Sequence, residues 1–407
     1  MCAALTVARS FARSFARSFG MTSNPRGRTL TRLGLLALGL ALLVSDLRAA
    51  DWPQFRGDSA LQGVATDAKL PDQPRLLWEL ETGDGMASTP VIVGEHVYVG
   101  LVSGDLLCLK LADGKPVWKY QSLPAAQPKD LPPAFMGPIA ATDKLIFAGD
   151  QEGFFHAINR ATGKKEWIYE DGGEFVGGPN LYQDRVIFGT HKGQLTCLDQ
   201  ATGKVVHWKY DTGGPINGTP TIAGKYTFAT NCQAPFLMVV DLDTGKEAKK
   251  IALEGRLIAS AAYRDGFLYF GNEIGEVYAL DAEKGTLAWT YSNPDRDQQI
   301  DSSPAVTNDL VVIGHGDKHL HAIDRKTGKG KWTVPTRAQI DCSPVIAGDK
   351  VIFGSNDKQL YLVRLSDGEV LWKHNAGQPI RGSAAVSGDR FVIGTDNTGG
   401  KVLCFGK

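Results

Sequence analysis

The residues with most chemical reach in this chain are three histidines, His315, His319 and His321 in GHGDKHLHA, and three aspartates, Asp295, Asp297 and Asp301 in YSNPDRDQQID. Clustered imidazoles are the material of a zinc site and closely spaced carboxylates that of a calcium loop. Neither set is complete. Zinc needs three or four converging ligands, and His321 falls where Tyr278, Tyr361 and His156 stand in sister repeats, a packing position for a ring with a polar tip. The aspartate run lacks the central glycine and the bidentate glutamate of a calcium loop and reads as an acidic surface patch. No metal ligand is assigned.

Covalent chemistry has no better footing. The chain contains no Gly-x-Ser-x-Gly elbow, no phosphate loop, no His-Glu-x-x-His and no kinase catalytic element, so no catalytic residue is assigned and the expected activity is none. Composition is that of a globular chain, 43% hydrophobic and 22% charged. Residues 1–50 hold seven of the 44 basic side chains and one of the 44 acids, which leaves 37 basic against 43 acidic in residues 51–407. That surplus of acid predicts no nucleic-acid partner.

What would position any site is a repeat. Tryptophan returns at Trp78, Trp118, Trp167, Trp208, Trp289, Trp332 and Trp372, at intervals of 40, 49, 41, 81, 43 and 40 residues, with an empty slot near Lys249. Within one unit, residues 302–332 (SSPAVTNDLVVIGHGDKHLHAIDRKTGKGKW), short branched and aromatic runs alternate with Asn-Asp, Gly-Asp and Thr-Gly turns. Four such strands per forty residues make one blade of a β-propeller. Seven units run from Ala87 to His374, and an eighth stops after three strands at the C-terminus. Its missing outer strand is available in RLLWEL (75–80), which carries Trp78 and has no strands of its own. The expected fold is therefore all-β, an eight-bladed propeller over 74–407 whose N-terminal strand completes the last blade.

Aligning the eight innermost strands places Ala87, Phe135, Val176, Asn217, Ile258, Asp301, Asp341 and Arg381 around one mouth of the channel. Asp301, Asp341 and Arg381 fall in adjacent blades. They, with Asn217 and with Phe135 on the lip formed by the proline-rich loop 121–135, are the candidate contacts for a partner peptide or small polar ligand. A solvated ion cluster between blades is the competing reading. The fourth unit, which lacks its tryptophan, is either drift or a surface released from packing.

The strings ALDAEKGTLAW (279–289), AIDRKTGKGKW (322–332) and CLDQATGKVVHW (197–208) resemble the tryptophan-docking motif of PQQ-like, quinoprotein-type propeller repeats, a class that includes BamB-like assembly lipoproteins and quinone-dependent alcohol dehydrogenases. DWPQFRGDSALQGV (51–64) resembles the opening of exported PQQ-like proteins of planctomycete-type bacteria. The resemblance implies that the seven tryptophans dock structurally between blades. It further implies either a non-catalytic exported scaffold resembling BamB, binding an envelope protein or small polar ligand, or a dehydrogenase holding pyrroloquinoline quinone and Ca²⁺. The dehydrogenases use cationic side chains, a stacking platform and in many cases adjacent cysteines. No Cys-Cys pair occurs here, and the aligned ring sums to one negative charge, so neither quinone nor Ca²⁺ is assigned.

Residues 1–20 are a low-complexity extension containing ARSF three times, and Met21 reads as the true start. Arg26, Arg28 and Arg32 before LGLLALGLALLV (33–44) make 21–49 a signal peptide rather than an anchor, leaving a short segment, 50–73, ahead of the propeller. The mature chain is expected to be a periplasmic or otherwise extracytoplasmic monomer without a transmembrane anchor. Cys108, Cys197 and Cys404 share one repeat position, which predicts buried thiols rather than disulfides; Cys2, Cys232 and Cys342 stand alone.

Overall fold

The computed structural model describes residues 51–86, 88–122, 132–292, 298–396 and 398–407. The signal-peptide reading of 21–49, the extension before it, Ala87, Asp295, Asp297 and most of the proline-rich loop lie outside the described residues.

Eight four-stranded blades follow one another around a ring, and one of them carries a short extra strand. Blades 1 to 7 span 91–121, 140–170, 180–211, 221–252, 262–292, 305–335 and 345–375. Blade 8 takes three strands from 385–406 and its outermost from Arg75–Glu81, which runs antiparallel to Lys401–Gly406 with Arg75 opposite Gly406. The innermost strands of blades 1 and 8 lie side by side, so the ring closes as expected. Middle strands such as Leu310–Gly314 are buried on both faces by neighbouring blades and read as unbroken apolar runs. Outer strands such as Pro116–Gln121 face solvent and alternate.

The indoles rivet blade to blade. Trp78, Trp118, Trp167, Trp208, Trp289 and Trp332 donate Nε1–H to the carbonyls of Leu111, Arg160, Gln200, Leu242, Arg325 and Leu365 of the following blade, at 2.9 to 3.0 Å. Each ring lies on a turn glycine three residues further on. At Gly114, φ is +70° and a Cβ would stand 2.6 Å from the Trp78 ring, so a side chain is excluded by conformation and by space. Trp372 differs because blade 8 borrows its fourth strand and has no such turn; its ring packs edge-on against Phe405, centroids 5.1 Å apart. Cys108, Cys197 and Cys404 are free and buried against the same layer, and burial pushes each thiol up to about 12.

The repeat pattern has no counterpart for the course of residues 51–69, which hoop around one end of the channel and touch the blades in numerical order. Trp52 exchanges backbone bonds with Ile92 of blade 1, and the Pro53 carbonyl accepts from Ala141 N of blade 2. Gln54 Oε1 accepts from Leu181 N of blade 3. The carbonyls of Ser59, Ala60, Gln62 and Gly63 accept from Ile222, Tyr263, Val306 and Ile346 of blades 4 to 7, and Lys69 N donates to Gly388 of blade 8. Val64–Ala65 also pairs in parallel with Ile346–Ala347. Innermost strands leave one row of backbone groups facing the channel, and the hoop supplies partners where water would otherwise have to enter. Arg56 projects from it into the ring, wholly buried, with its two terminal nitrogens donating to Ser383 Oγ at 3.1 Å and the Pro304 carbonyl at 3.0 Å.

Candidate functional site

The hoop gives the channel a floor. Above it lies a cavity of about 340 Å³ with Phe55 at its base and, around its opening, Val176, Asn217, Ile258, Asp301, Asp341 and Arg381. Between base and rim runs a band of hydroxyls that stitches the blades. Thr219 Oγ1 accepts from Gly178 N, Ser260 Oγ from Thr219 N, Ser303 Oγ from Ser260 N and Ser343 Oγ from Ser303 N, at 2.8 to 3.1 Å. These oxygens are occupied by backbone donors, and among the described residues none is hydrogen-bonded to a carboxylate or an imidazole. They hold the wall together and are poorly placed to attack a substrate.

The rim of blades 6 to 8 carries the predicted charges. Arg381, half exposed, has Nε 3.7 Å from Asp341 Oδ2 and a terminal nitrogen 3.3 Å from Asp396 Oδ2. Asn356 Nδ2 donates to the same Asp341 oxygen at 2.8 Å. Asp301 is nearby but bonded elsewhere, to Gln299 Nε2 at 2.6 Å. Its carboxyl is pushed above the ordinary aspartate range, first by crowding against the channel wall and then by the charge of Asp341, while Gln299 and Arg381 pull the other way. Across the opening, His191 bridges two blades, Nε2 to Asn217 Oδ1 at 2.7 Å and Nδ1 to Glu174 Oε2 at 3.3 Å. Neither Glu174 nor His191 belongs to the repeat position from which the rim is read; they come from flanking turns and meet only in space.

An aspartate whose native pKa is raised binds its proton more tightly folded than unfolded, so its ionisation lowers stability as pH rises from the unfolded value through the folded one. Asp301→Asn keeps an acceptor for Gln299 and removes that charge. It should raise the melting midpoint at neutral pH, with the gain vanishing in acid, where the aspartate is protonated in both states. Melting curves from pH 3 to 8 that show no pH-dependent gain would refute this.

Phe135 requires a correction. Its ring is fully buried, packed edge-on to His156 at 5.5 Å between centroids and covering Gly100, where a Cβ would lie 2.9 Å from its own Cβ. It is the counterpart of Phe175, Ile216, Ile300, Ile340 and Ile380, all buried. The rim residue of blade 2 is Met136. The prolines of the preceding loop obscured the alignment by one residue, and along an extended chain one residue turns a side chain from one face to the other.

The histidine run is more tightly gathered than its spacing foretells. Nitrogens of His315 and His321 and an oxygen of Asp317 lie within 4.8 Å of one another, all buried. Protein groups already engage them. His321 Nε2 lies 3.1 Å from Asp317 Oδ1 and its Nδ1 2.9 Å from Tyr291 Oη, while His315 Nδ1 accepts from Asp317 N and Nε2 faces the Gly275 carbonyl. Burial holds the His315 imidazole below its ordinary range, in keeping with that neutral pattern. Blade 2 repeats the motif with His156 and Asp150 and with Tyr120 of blade 1, both contacts 2.9 Å, and blade 7 has Tyr361 and Asp357 at 2.6 Å. The repetition identifies a clamp on the hairpin between second and third strands.

A quinone with three carboxylates fits this cavity badly. Among the described residues the cation lining it, Arg381, is paired with two aspartates, and Arg56 is wholly buried in the wall with its terminal nitrogens turned to Ser383 and Pro304. The aromatic ring at the base, Phe55, is only 8% exposed and offers no open stacking face.

A family model described as outer membrane protein assembly factor BamB matches residues 172–235 and 237–405, more than half of the chain. A protein of that description from Shewanella oneidensis is 24% identical over 357 residues, covering 72% of this chain and 88% of the relative. Tetrathionate hydrolase of Acidithiobacillus ferrooxidans is 24% identical over 65% of this chain, which spans 53% of that enzyme. The crystal structure of quinohemoprotein alcohol dehydrogenase from Comamonas testosteroni superposes with a TM-score of 0.72 at 15% identity, covering 88% of this chain and 80% of that one, a likeness of fold alone. Three different roles on one architecture leave the choice of role to the site.

Proposed function

Because the chain belongs to the outer membrane protein assembly factor BamB family of PQQ-like repeat propellers, we propose that it is a non-catalytic extracytoplasmic scaffold whose channel mouth holds a segment of an envelope protein. The observation that carries this reading is the blind, mixed-charge opening. Asp341 and Arg381 on one side and Glu174, His191 and Asn217 on the other offer donors and acceptors on several rigid blades, above a hydroxyl band already committed to the wall. Such a surface orients polar backbone and side chains, and no hydroxyl of the band is hydrogen-bonded to a base among the described residues. The poor fit of the quinone weighs against the dehydrogenase alternative, and the assembly-factor role for which the family is described weighs for the scaffold. The protein acts as a monomer and takes up no quinone or Ca²⁺.

Arg381→Ala separates site from scaffold. Exposed ion pairs contribute about 0–1 kcal/mol, so the melting midpoint should stay near wild type while capture of partner from a solubilised envelope fraction falls at least about tenfold. Undiminished capture would remove the mouth from the function. Pyrroloquinoline quinone with Ca²⁺ should produce neither a saturable thermal shift nor dye-linked alcohol oxidation; both together would establish the dehydrogenase instead.

A further inference from the structure

Blade 4 is the one blade whose outer strand, Glu247–Ala252, brings no indole to its neighbour, and the slot that the indole would fill has kept the rest of its parts. In three sister slots the tryptophan packs at a tilt against an aromatic ring of its own second strand: Trp118 against Tyr98 with centroids 5.8 Å apart, Trp167 against Phe147 at 5.9 Å and Trp289 against Tyr269 at 6.0 Å. The equivalent ring in blade 4 is Phe228, still in place and lining a cavity of about 330 Å³ between blades 4 and 5 together with Tyr226, Tyr263, Lys249 and Ala282. The turn glycine is also in place, Gly285 at φ +72°, where the atoms nearest an added Cβ belong to Ile251 and the Lys249 chain, at 3.3 to 3.5 Å, and not to an indole. The carbonyl three residues before it belongs to Ala282, the counterpart of the six that accept an indole N–H elsewhere, and no donor to it occurs among the described residues. Lys249 stands at the tryptophan position but sends its ammonium to the next carbonyl, that of Glu283, and its flexible stem can leave the slot.

We infer that this slot is a second binding site, one that receives a tryptophan side chain carried on an extended segment of a partner protein. Six docked copies in this chain define the shape and the hydrogen bond that the guest must match, and three of them the aromatic wall. The site lies on the outer rim between two blades and uses none of the groups at the channel mouth, so it stands or falls independently of the scaffold reading above.

The probe is the chain's own docking strand, the blocked heptapeptide TLAWTYS copied from Thr286–Ser292, and the same peptide with alanine for tryptophan. Calorimetry on the purified propeller should give saturable binding of the first, weakened at least about tenfold in the second, as for loss of a buried aromatic anchor. The Lys249→Trp variant should refuse the peptide and melt higher than wild type, because the slot is then filled from within. Absence of binding to the wild-type protein, equal binding of the alanine peptide, or equal binding of N-acetyltryptophanamide would each overturn the assignment. Undiminished peptide binding by a folded Lys249→Trp variant would place the peptide elsewhere and overturn it as well.

Discussion

Gly63→Ala should be among the most damaging single methyl groups that can be added to this protein. A Cβ at that position would stand 1.9 Å from a terminal nitrogen of Arg56 and 2.4 Å from its Cζ, and the backbone there has φ +67°. Arg56 cannot give way, being wholly buried between blades 6 and 8. Overpacking costs about 1–3 kcal/mol and a left-handed non-glycine residue about 1–2 kcal/mol more, so the sum is about 2–5 kcal/mol. Because Gly63 also supplies the carbonyl that binds blade 7, the strain falls on the closure of the channel floor. A double-mutant cycle isolates the cause. In an Arg56→Met background the glycine substitution should lose most of its cost, leaving the conformational part. Equal destabilisation in both backgrounds, by chemical denaturation, would show that the guanidinium is not what the methyl group meets.

The guanidinium itself illustrates why the floor is built on it. Burial lowers the Arg56 pKa to about 10, the desolvation effect exceeding the support from Cys342 and Asp58. It remains charged at neutral pH, held by neutral oxygens rather than by a carboxylate. Such a group costs stability to bury and gains specificity, since only one register of the hoop sets it between Ser383 and Pro304.

Those contacts mark the boundary of what the chain discloses to a reader of residues. The tryptophan and glycine intervals disclose eight blades because each docking event demands one indole and one residue free to adopt positive φ, and the demand repeats. The closing strand is legible for the same reason: Trp78 has an acceptor in blade 1 and a blade 8 that lacks a fourth strand. Asp341 and Arg381 are legible as a pair because one register position generates the rim. The hoop is not, since it occurs once and binds mainly through the carbonyls of Pro53, Ser59, Ala60, Gln62 and Gly63, which every residue type possesses. Its signal, faint in sequence, is a run with Trp52, Phe55 and Leu61, too apolar to lie in solvent and too irregular to be a strand. Glu174 and His191 escape for another reason: they approach from different turns, and their spacing along the chain encodes nothing about the 3.3 Å between them.

Trp78→Ala should cost more than any other tryptophan deletion in the ring, because only there does docking also close the circle. In blades 1 to 7 a short turn carries each third strand into the outer strand, so a lost indole leaves that strand tethered to its own blade. Arg75–Glu81 has no such link to the strand it covers; its pairing with Lys401–Gly406 joins residues more than 300 apart in sequence, and the indole bond to Leu111 fastens that pair to blade 1. Truncating a buried tryptophan costs about 3–5 kcal/mol, and here the bare turn at Gly114 loses its cover as well. Opening at this seam also returns the entropy of a very long loop, which makes partial unfolding easier here than elsewhere. Hydrogen exchange should therefore report the seam selectively: in Trp78→Ala, amides of 75–81 and 401–406 should lose protection by a factor of about a hundred or more, as a loss of about 3 kcal/mol or greater implies. Trp167→Ala, in a blade made of one continuous stretch of chain, should spare those amides. Equal exchange at the seam in the two variants would mean that the ring is closed by the strand ladder alone and that the indole adds nothing particular to the clasp.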